Sequence, residues 1–187
     1  SLGYHLGKGL GVKRDPAAAA RLYLLAAEGE SAAAQANVAY YYLKGQGIEK
    51  DLTSAFSWYG KSAEQGYPRG QYSLGLRYLR GEGVAKDLNA AVKWIRKAAD
   101  QDYGPAVVSM VYRYEKGEGV EQDLDEAEQW YEKALALGYT RDLKKQEELK
   151  DHAKIFAEMD EKLRDQSAAT GEQYGEWMKA AIDAKGD

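Results

Sequence analysis

The stretch GEGVAKD, residues 81–87, recurs along the chain with small changes. The other copies are GLGVKRD at 9–15, GQGIEKD at 45–51 and GEGVEQD at 117–123, so successive copies lie 36 residues apart. A fixed period of this length is typical of solenoids, in which each unit is one supersecondary element. A phosphate-binding loop needs no such repetition, and it would carry a third glycine or a Lys-Ser/Thr pair. The sequence therefore predicts four similar units.

Upstream of each loop, small and apolar residues recur four positions apart, which places them on one face of a helix that we name helix A. They are Ala34, Val38 and Tyr42, then Gly70, Leu74 and Tyr78, then Ala106, Met110 and Tyr114. Glycine suits the left-handed conformation that ends a helix, and a second glycine allows a tight reversal. We assign these roles to the pairs Gly45 and Gly47, Gly81 and Gly83, and Gly117 and Gly119.

Each loop ends in an aspartate, which is a preferred residue for beginning a helix because its side chain accepts backbone N–H groups. Asp15, Asp51, Asp87 and Asp123 therefore predict the start of a second helix, which we name helix B, and Pro16 suits its first position. Helix B carries small residues around one large aromatic, as close helix packing requires. These aromatics are Trp58, Trp94 and Trp130, which we interpret as wedges in the core, with Leu22 in the first unit.

This pattern resembles the Sel-one-like repeat family, which is related to the tetratricopeptide repeats. The fullest match is LGLRYLRGEGVAKDLNAAVKWIRKAA at 74–99, and the resemblance covers about residues 2 to 140. It implies an all-α fold, a right-handed α/α superhelical solenoid of antiparallel helix pairs with helix A on the concave face. It also implies a non-enzymatic adaptor that binds other proteins, in bacterial envelope regulation, secretion or host interaction.

A row of aromatic residues is predicted on the concave face. At 100° per residue, Tyr4, Tyr40, Leu76 and Tyr112 fall opposite the core face of helix A, and Tyr72 lies one turn earlier on nearly the same face. Surplus tyrosines on such a surface favour a recognition site. Cations occupy equivalent positions there, which adds Arg77, Arg80 and Arg113 to the expected partner-binding residues. We therefore expect an acidic protein or peptide partner.

Composition narrows the class of function. The 187 residues carry a net charge of −4, which argues against a general nucleic-acid binder, and no apolar run is long enough for membrane insertion. Neither His5 nor His152 has a metal-ligand spacing, and no catalytic set can be argued, so no metal, cofactor or enzymatic activity is expected. The absence of cysteine leaves a periplasmic, secreted or cytoplasmic location open. Since the chain opens inside a repeat, we expect residues upstream of it.

The repeat pattern ends before 153–159, where AKIFAEM stands in place of a glycine loop. We therefore expect a solenoid over 1–140 and capping helices over 141–187, because a solenoid must cover its last apolar face. Tyr174, Trp177 and Ile182 lie at the spacing of one helix face, which leaves dimerisation or occupation of the groove open. Two alternatives to the adaptor remain: a module that binds an anionic glycan, and a structural element that forms homo-oligomers through the solenoid ends or the C-terminal helices.

Overall fold

The protein is a series of helix pairs. The computed structural model describes residues 2–11 and 13–139, and within those ranges it has eight helices and no strands. The helices are α1 (Leu2–Lys8), α2 (Pro16–Glu28), α3 (Ala32–Lys44), α4 (Leu52–Glu64), α5 (Pro68–Arg80), α6 (Leu88–Ala99), α7 (Gly104–Lys116) and α8 (Leu124–Ala136). Odd-numbered helices are helix A and even-numbered helices are helix B. The expected all-α solenoid is confirmed.

Four units follow from this alternation: unit 1 (residues 2–31), unit 2 (32–67), unit 3 (68–103) and unit 4 (104–139). Each helix packs mainly on its neighbours in the chain, and α3 also packs on α5, so these two helices A lie side by side. The capping segment expected over 141–187 lies outside the described residues, and its boundary with the solenoid stays a prediction.

The helix starts are set by the four aspartates, as predicted. Asp15 and Asp87 accept the backbone N–H of Ala18 and Ala90 at 2.8 and 2.9 Å. Asp51 and Asp123 each accept two N–H groups from the first turn that they precede. These bonds satisfy donors that have no partner inside the helix.

The helix A segments end at glycines in the left-handed region. Gly45, Gly81 and Gly117 have φ of 65°, 66° and 66°, and their N–H groups donate to the carbonyl four residues earlier. The second glycine of the loop, two residues later, lies against the neighbouring unit. A Cβ added at Gly83, for example, would overlap the Leu52 carbonyl. In the loops after α3, α5 and α7, the first glycine is therefore required by backbone conformation, and the second also by the space that a neighbouring unit leaves.

The core is built largely from alanine, and larger residues join the units. Ala19, Ala55, Ala91 and Ala127 occupy one position of helix B and are at most 4% exposed. Small residues let helices approach closely, and the gaps are filled from neighbouring units. Trp58 packs against two clusters that contain Ala27 and Ala63, and Trp94 packs against the second of them.

Glutamine pairs, each with one buried member, cross the joints between helix B and helix A. Gln65 donates from Nε2 to Gln35 Oε1 at 2.8 Å, and Gln101 donates to Gln71 Oε1 at the same distance. Gln35 and Gln71 in turn donate to the carbonyls of Ala27 and Ala63 in the preceding helix B at 3.3 Å. These bonds satisfy polar groups that would be costly to bury alone. They fix the spacing of units 1, 2 and 3.

Candidate functional site

One half-buried side chain recurs at the same position of each helix A. We define the helix A strip as Tyr4, Tyr40, Leu76 and Tyr112, which occupy one position in the four units. All four are half-buried, so each presents part of its apolar surface to solvent. Tyr40 contacts Tyr41, whose ring centre lies 6.4 Å away, and Leu76 packs against the core of units 3 and 4.

A hydrogen bond ties neighbouring parts of this face together. Arg69 of α5 donates from Nη1 to Asn37 Oδ1 of α3 at 2.9 Å. Asn37 lies one turn before Tyr40, and Arg69 lies two turns before Leu76, so both share the face of the strip. The bond therefore holds α3 and α5 side by side on this face. Sequence reasoning missed it, because nothing in the spacing marks two polar residues 32 positions apart as partners.

Cations flank the strip at the end of each helix A. Lys44, Arg80 and Lys116 occupy one position, four residues after the strip, and all are exposed. The Lys44 Nζ lies 6.0 Å from the centre of the Tyr40 ring, a cation–π distance. Among the odd-numbered helices, the only acidic residue is Glu115. The face therefore combines apolar rings with positive charge.

Tyr72 does not belong to this surface, which corrects the orientation expected from the helical spacing. Its side chain is 2% exposed, and its ring centre lies 5.6 Å from that of Tyr103. Tyr72 stands 40° around the helix from Leu76, and this small offset turns it toward the joint with unit 4. The apolar packing of the joint covers the whole ring.

Arg77 is also buried rather than groove-facing, at 2% exposure. Its Nε lies 3.1 Å from Glu82 Oε2 in the following loop, and its guanidinium lies 5.6 Å from the centre of the Tyr59 ring. A charge can be buried when an opposite charge compensates it. Arg77 therefore holds the loop against the helix pair, and its charge is neutralised inside unit 3.

Arg113 repeats this arrangement in unit 4 and is 7% exposed, so its predicted orientation is corrected in the same way. It forms an ion pair with Glu118. Burial lowers the pKa of the Arg113 guanidinium, and the Glu118 carboxylate opposes that shift. Since an arginine stays protonated under ordinary conditions, the pair remains ionic.

A regularity in the sequence could have revealed both pairs. Where units 3 and 4 place Arg and Glu five residues apart, unit 2 places Tyr41 and Gln46. Tyr41 is 9% exposed and its ring centre lies 5.5 Å from that of Tyr23, the counterpart of Tyr59. Both members of the pair change together, which is the signal of a contact.

The outer row, formed by helix B, carries a different pattern. Trp58, Trp94 and Trp130 are half-buried rather than enclosed, and a lysine three residues later covers part of each ring. The Nζ of Lys61, Lys97 and Lys133 lies 4.2, 4.5 and 5.2 Å from the centre of the respective Trp ring. These contacts shield apolar surface from solvent.

No metal site or membrane span is found in the described ranges. No group of three or more His, Asp or Glu residues there is arranged to hold a metal ion. None of the helices in 2–11 and 13–139 has the length and apolar character needed to cross a bilayer.

Solved structures of other proteins share this arrangement. A Sel1 repeat protein from Oxalobacter formigenes is 36% identical, with a TM-score of 0.67 over 73% of this chain and 56% of that one. The protective antigen c5321 of uropathogenic Escherichia coli, described as displaying an SLR fold, is also 36% identical, with a TM-score of 0.70 over 73% of this chain. Cysteine rich protein B of Helicobacter pylori is 26% identical, with a TM-score of 0.55.

The chain spans about half of the first of these proteins and 29% of the second, whereas it covers 94% of the third. No curated protein matches the chain at a significant level. The model of the Sel1 repeat matches residues 1–31, 32–67, 68–103 and 106–139, in register with the four helix pairs. The chain therefore belongs to the Sel1 repeat family.

Proposed function

We propose that this protein is an adaptor that binds an acidic segment of a partner protein along the helix A strip. Sel1 repeat proteins generally mediate protein–protein interaction and serve as non-enzymatic scaffolds. The observation that carries the proposal is the repetition of a half-buried apolar residue and an exposed cation at the same two positions of successive helices A. Arg77, Arg113 and Tyr72 are not part of the surface, because they are buried.

The chemistry of the strip favours an extended segment with acidic and apolar residues. The exposed parts of Tyr40, Leu76 and Tyr112 can bury apolar side chains, which contributes affinity that salt does not screen. Lys44, Arg80 and Lys116 can form charge-assisted hydrogen bonds with carboxylates and speed association. One apolar contact and one cation in each unit match a ligand that passes along several units.

A crosslinking experiment tests this proposal in the full chain. A photoreactive amino acid replaces Tyr40 or Tyr112 in one pair of variants and Lys93, which is exposed on α6, in a control. The proposal requires that strip variants, and not the Lys93 variant, crosslink to one partner, whose reacted segment mass spectrometry identifies. A partner captured equally from Lys93 would move the interface to helix B and contradict the proposal.

Affinity for a synthetic peptide of the identified segment then separates the contributions. Tyr40→Ala, Leu76→Ala and Arg80→Glu should each weaken binding, with one of them costing about 2 kcal/mol and the others less. The Arg80→Glu variant should also bind with a smaller salt dependence than the wild type, because one screened attraction is lost. Lys93→Glu makes the same change of charge on helix B and should leave the affinity unchanged.

An anionic glycan remains the second candidate, since aromatic rings and cations also suit sugars. A polysaccharide that displaces the peptide, combined with loss of crosslinking after glycosidase treatment and not after protease treatment, would replace the protein partner with a glycan.

A further inference from the structure

One position of helix B is filled differently at each of the three junctions between units. It lies two residues after the wedge tryptophan, or after Leu22 in unit 1, and the residues there are Leu24, Gly60 and Arg96 in units 1, 2 and 3. Leu24 is half-buried and packs in one apolar cluster with Tyr42 and Trp58 of unit 2. At the first junction, an aliphatic side chain therefore covers a tyrosine and a tryptophan of the following unit.

At the third junction, an arginine occupies the same place. The guanidinium of Arg96 lies 5.5 and 5.8 Å from the ring centres of Tyr114 and Trp130, the unit 4 counterparts of the two rings that Leu24 covers. It donates to the Tyr114 hydroxyl, and its Nη2 lies 4.0 Å from Glu126 Oε2. This cation therefore has two aromatic rings and a counter-charge around it.

At the second junction, the same place is open. The counterparts of the two covered rings are Tyr78 and Trp94, which share one apolar cluster with Phe56. Phe56 contacts Tyr78 edge to face at 5.3 Å between ring centres, yet a Cβ added at Gly60 would meet no neighbouring atom within 4 Å in the described ranges. We define the α4 notch as the space over Gly60 that is bordered by Phe56, Tyr78 and Trp94, all of which are half-buried.

Neither of the reasons that require the loop glycines applies to Gly60. It lies inside α4 with a φ that is not positive, and no described neighbour approaches the place of its missing Cβ. Glycine is unfavourable inside a helix, because its backbone loses more freedom on folding than that of any other residue. Local structure and packing therefore do not account for this glycine.

Charge decides between the two kinds of side chain that fill the other junctions. Arg96 has Glu126 as a counter-charge, whereas unit 3 has Ala90 at the position of Glu126. Lys97 adds positive charge beside the notch, because it is exposed and its Nζ lies 4.5 Å from the centre of the Trp94 ring. A cation in the notch would therefore be repelled without compensation, whereas an aliphatic side chain gains from covering the ring surfaces.

We propose that the α4 notch binds one aliphatic side chain of leucine size from a partner protein, in the place that Leu24 takes at the first junction. The partner's side chain then completes the second junction, as residues of this chain complete the other two. The notch contains no residue of the helix A strip, so this inference does not depend on the proposed function.

Disulfide capture tests the proposal in the full chain, which contains no cysteine of its own. Glu64→Cys places a thiol on an exposed residue one turn after Gly60, and Asp100→Cys, the matched control, places one at the same spacing from Arg96. Each variant is equilibrated with the mercaptoacetyl derivatives of leucine, alanine and arginine, and mass spectrometry measures the fraction captured. Glu64→Cys should capture the leucine derivative about tenfold more than the alanine derivative, because the isobutyl group is buried. Asp100→Cys should capture all three to the same extent, because Arg96 already occupies that place.

Filling the notch from within gives a second measurement. Gly60→Leu supplies the chain's own leucine, so in the Glu64→Cys background it should abolish the preference for the leucine derivative. The urea midpoint of Gly60→Leu alone should be at or above that of the wild type, and a lower midpoint overturns the proposal because the space is then not open. A preference of Glu64→Cys for the arginine derivative overturns the aliphatic assignment. Equal capture of all three derivatives overturns the site itself, including the case in which residues 140–187 of the same chain cover it.

Discussion

Two glycines of one loop are required for different reasons, one by backbone conformation and the other also by the approach of a neighbouring unit. Gly81 and Gly83 are two positions apart and both have positive φ, of 66° and 76°. A Cβ at Gly81 would lie 3.5 Å or more from its nearest neighbours, whereas a Cβ at Gly83 would overlap the Leu52 carbonyl of unit 2. The first glycine is required by backbone conformation alone, and the second also by the approach of another unit.

Alanine substitution at these two sites should therefore give unequal losses of stability. Gly81→Ala should cost about 1–2 kcal/mol from the left-handed conformation. Gly83→Ala should cost about 3 kcal/mol or more, because overpacking adds to the same conformational term. Urea unfolding of the two variants and the wild type measures the difference. Equal losses would mean that the contact with Leu52 contributes nothing to stability.

The Asp51 carboxylate gives a second prediction at this scale. The Ser54 hydroxyl donates to Asp51 Oδ2 at 2.6 Å, and this bond, followed by the Ser54 N–H, holds the pKa of Asp51 below its ordinary value. Since the folded state favours the ionised form, its contribution to stability is present above the pKa of the unfolded chain, and it is lost as the pH falls through the lowered pKa.

Ser54→Ala should raise the pKa of Asp51, which NMR titration of the carboxyl carbon measures directly. Ser57→Ala, in the same helix and exposed, is the control and should leave the pKa of Asp51 where it is in the wild type. A pKa of Asp51 that is unchanged by Ser54→Ala would show that the backbone N–H groups alone set it.

At the scale of one element, the loop after helix A is fastened in two chemically different ways. Units 3 and 4 use the ion pairs Arg77–Glu82 and Arg113–Glu118, whereas unit 2 has Tyr41 and Gln46 at the same positions. Unit 2 therefore packs the same site with two uncharged side chains. Replacing a buried ion pair by a well-packed neutral pair is often close to neutral, whereas removing one member is costly.

Copying the unit 2 pair into unit 3 tests this reasoning. Glu82→Gln should lower the free energy of unfolding by about 2–3 kcal/mol, because the Arg77 charge then loses its counter-charge. This loss is smaller than for a fully buried ion pair, because the Glu82 side chain is 31% exposed. Arg77→Tyr combined with Glu82→Gln should lie within about 1 kcal/mol of the wild type. A double variant as unstable as the sum of the two single variants would show that the sites in units 2 and 3 are not equivalent.

Pattern reasoning succeeds where a residue acts within its own helix and is weaker where two units meet. The Asp caps act within one turn, so their positions in the sequence were sufficient to place them. Tyr72 and Arg77 were misplaced because a helical wheel assumes one covered face, whereas a central helix A is covered by its own helix B and by both neighbouring units. On such a helix only a narrow strip stays accessible, and residues 40° and 100° away from Leu76 are already buried.

For the whole molecule, stability is distributed as a chain of neighbouring contacts. In such an array each unit supports only the units next to it, so a weakened central junction lowers cooperativity as well as stability. Trp94 lies at the junction of units 2 and 3, whereas Leu22 holds the same position at the N-terminal face, with no preceding unit in the described ranges.

Alanine substitution of these two residues should have different effects on stability and cooperativity, because only Trp94 lies between two units. Trp94→Ala should cost about 2–3 kcal/mol, less than the 3–5 kcal/mol of a fully buried tryptophan, and should reduce the urea m-value as the two halves begin to unfold separately. Leu22→Ala should cost under about 1 kcal/mol with an unchanged m-value. An unchanged m-value for Trp94→Ala would indicate that the remaining contacts between units 2 and 3 suffice for cooperative unfolding.

The position of the second loop glycine has a consequence for how such a protein can change length. Gly47, Gly83 and Gly119 make the same contact with the first turn of the preceding helix B. A copy of residues 68–103 inserted after Tyr103 would therefore form, at both of its edges, junctions of the kind that the chain already contains. Tandem duplication of this unit would then lengthen the proposed binding surface by one leucine and one arginine, the copies of Leu76 and Arg80, without a new packing problem. Under that proposal, the number of units sets the length of the segment that the surface can bind.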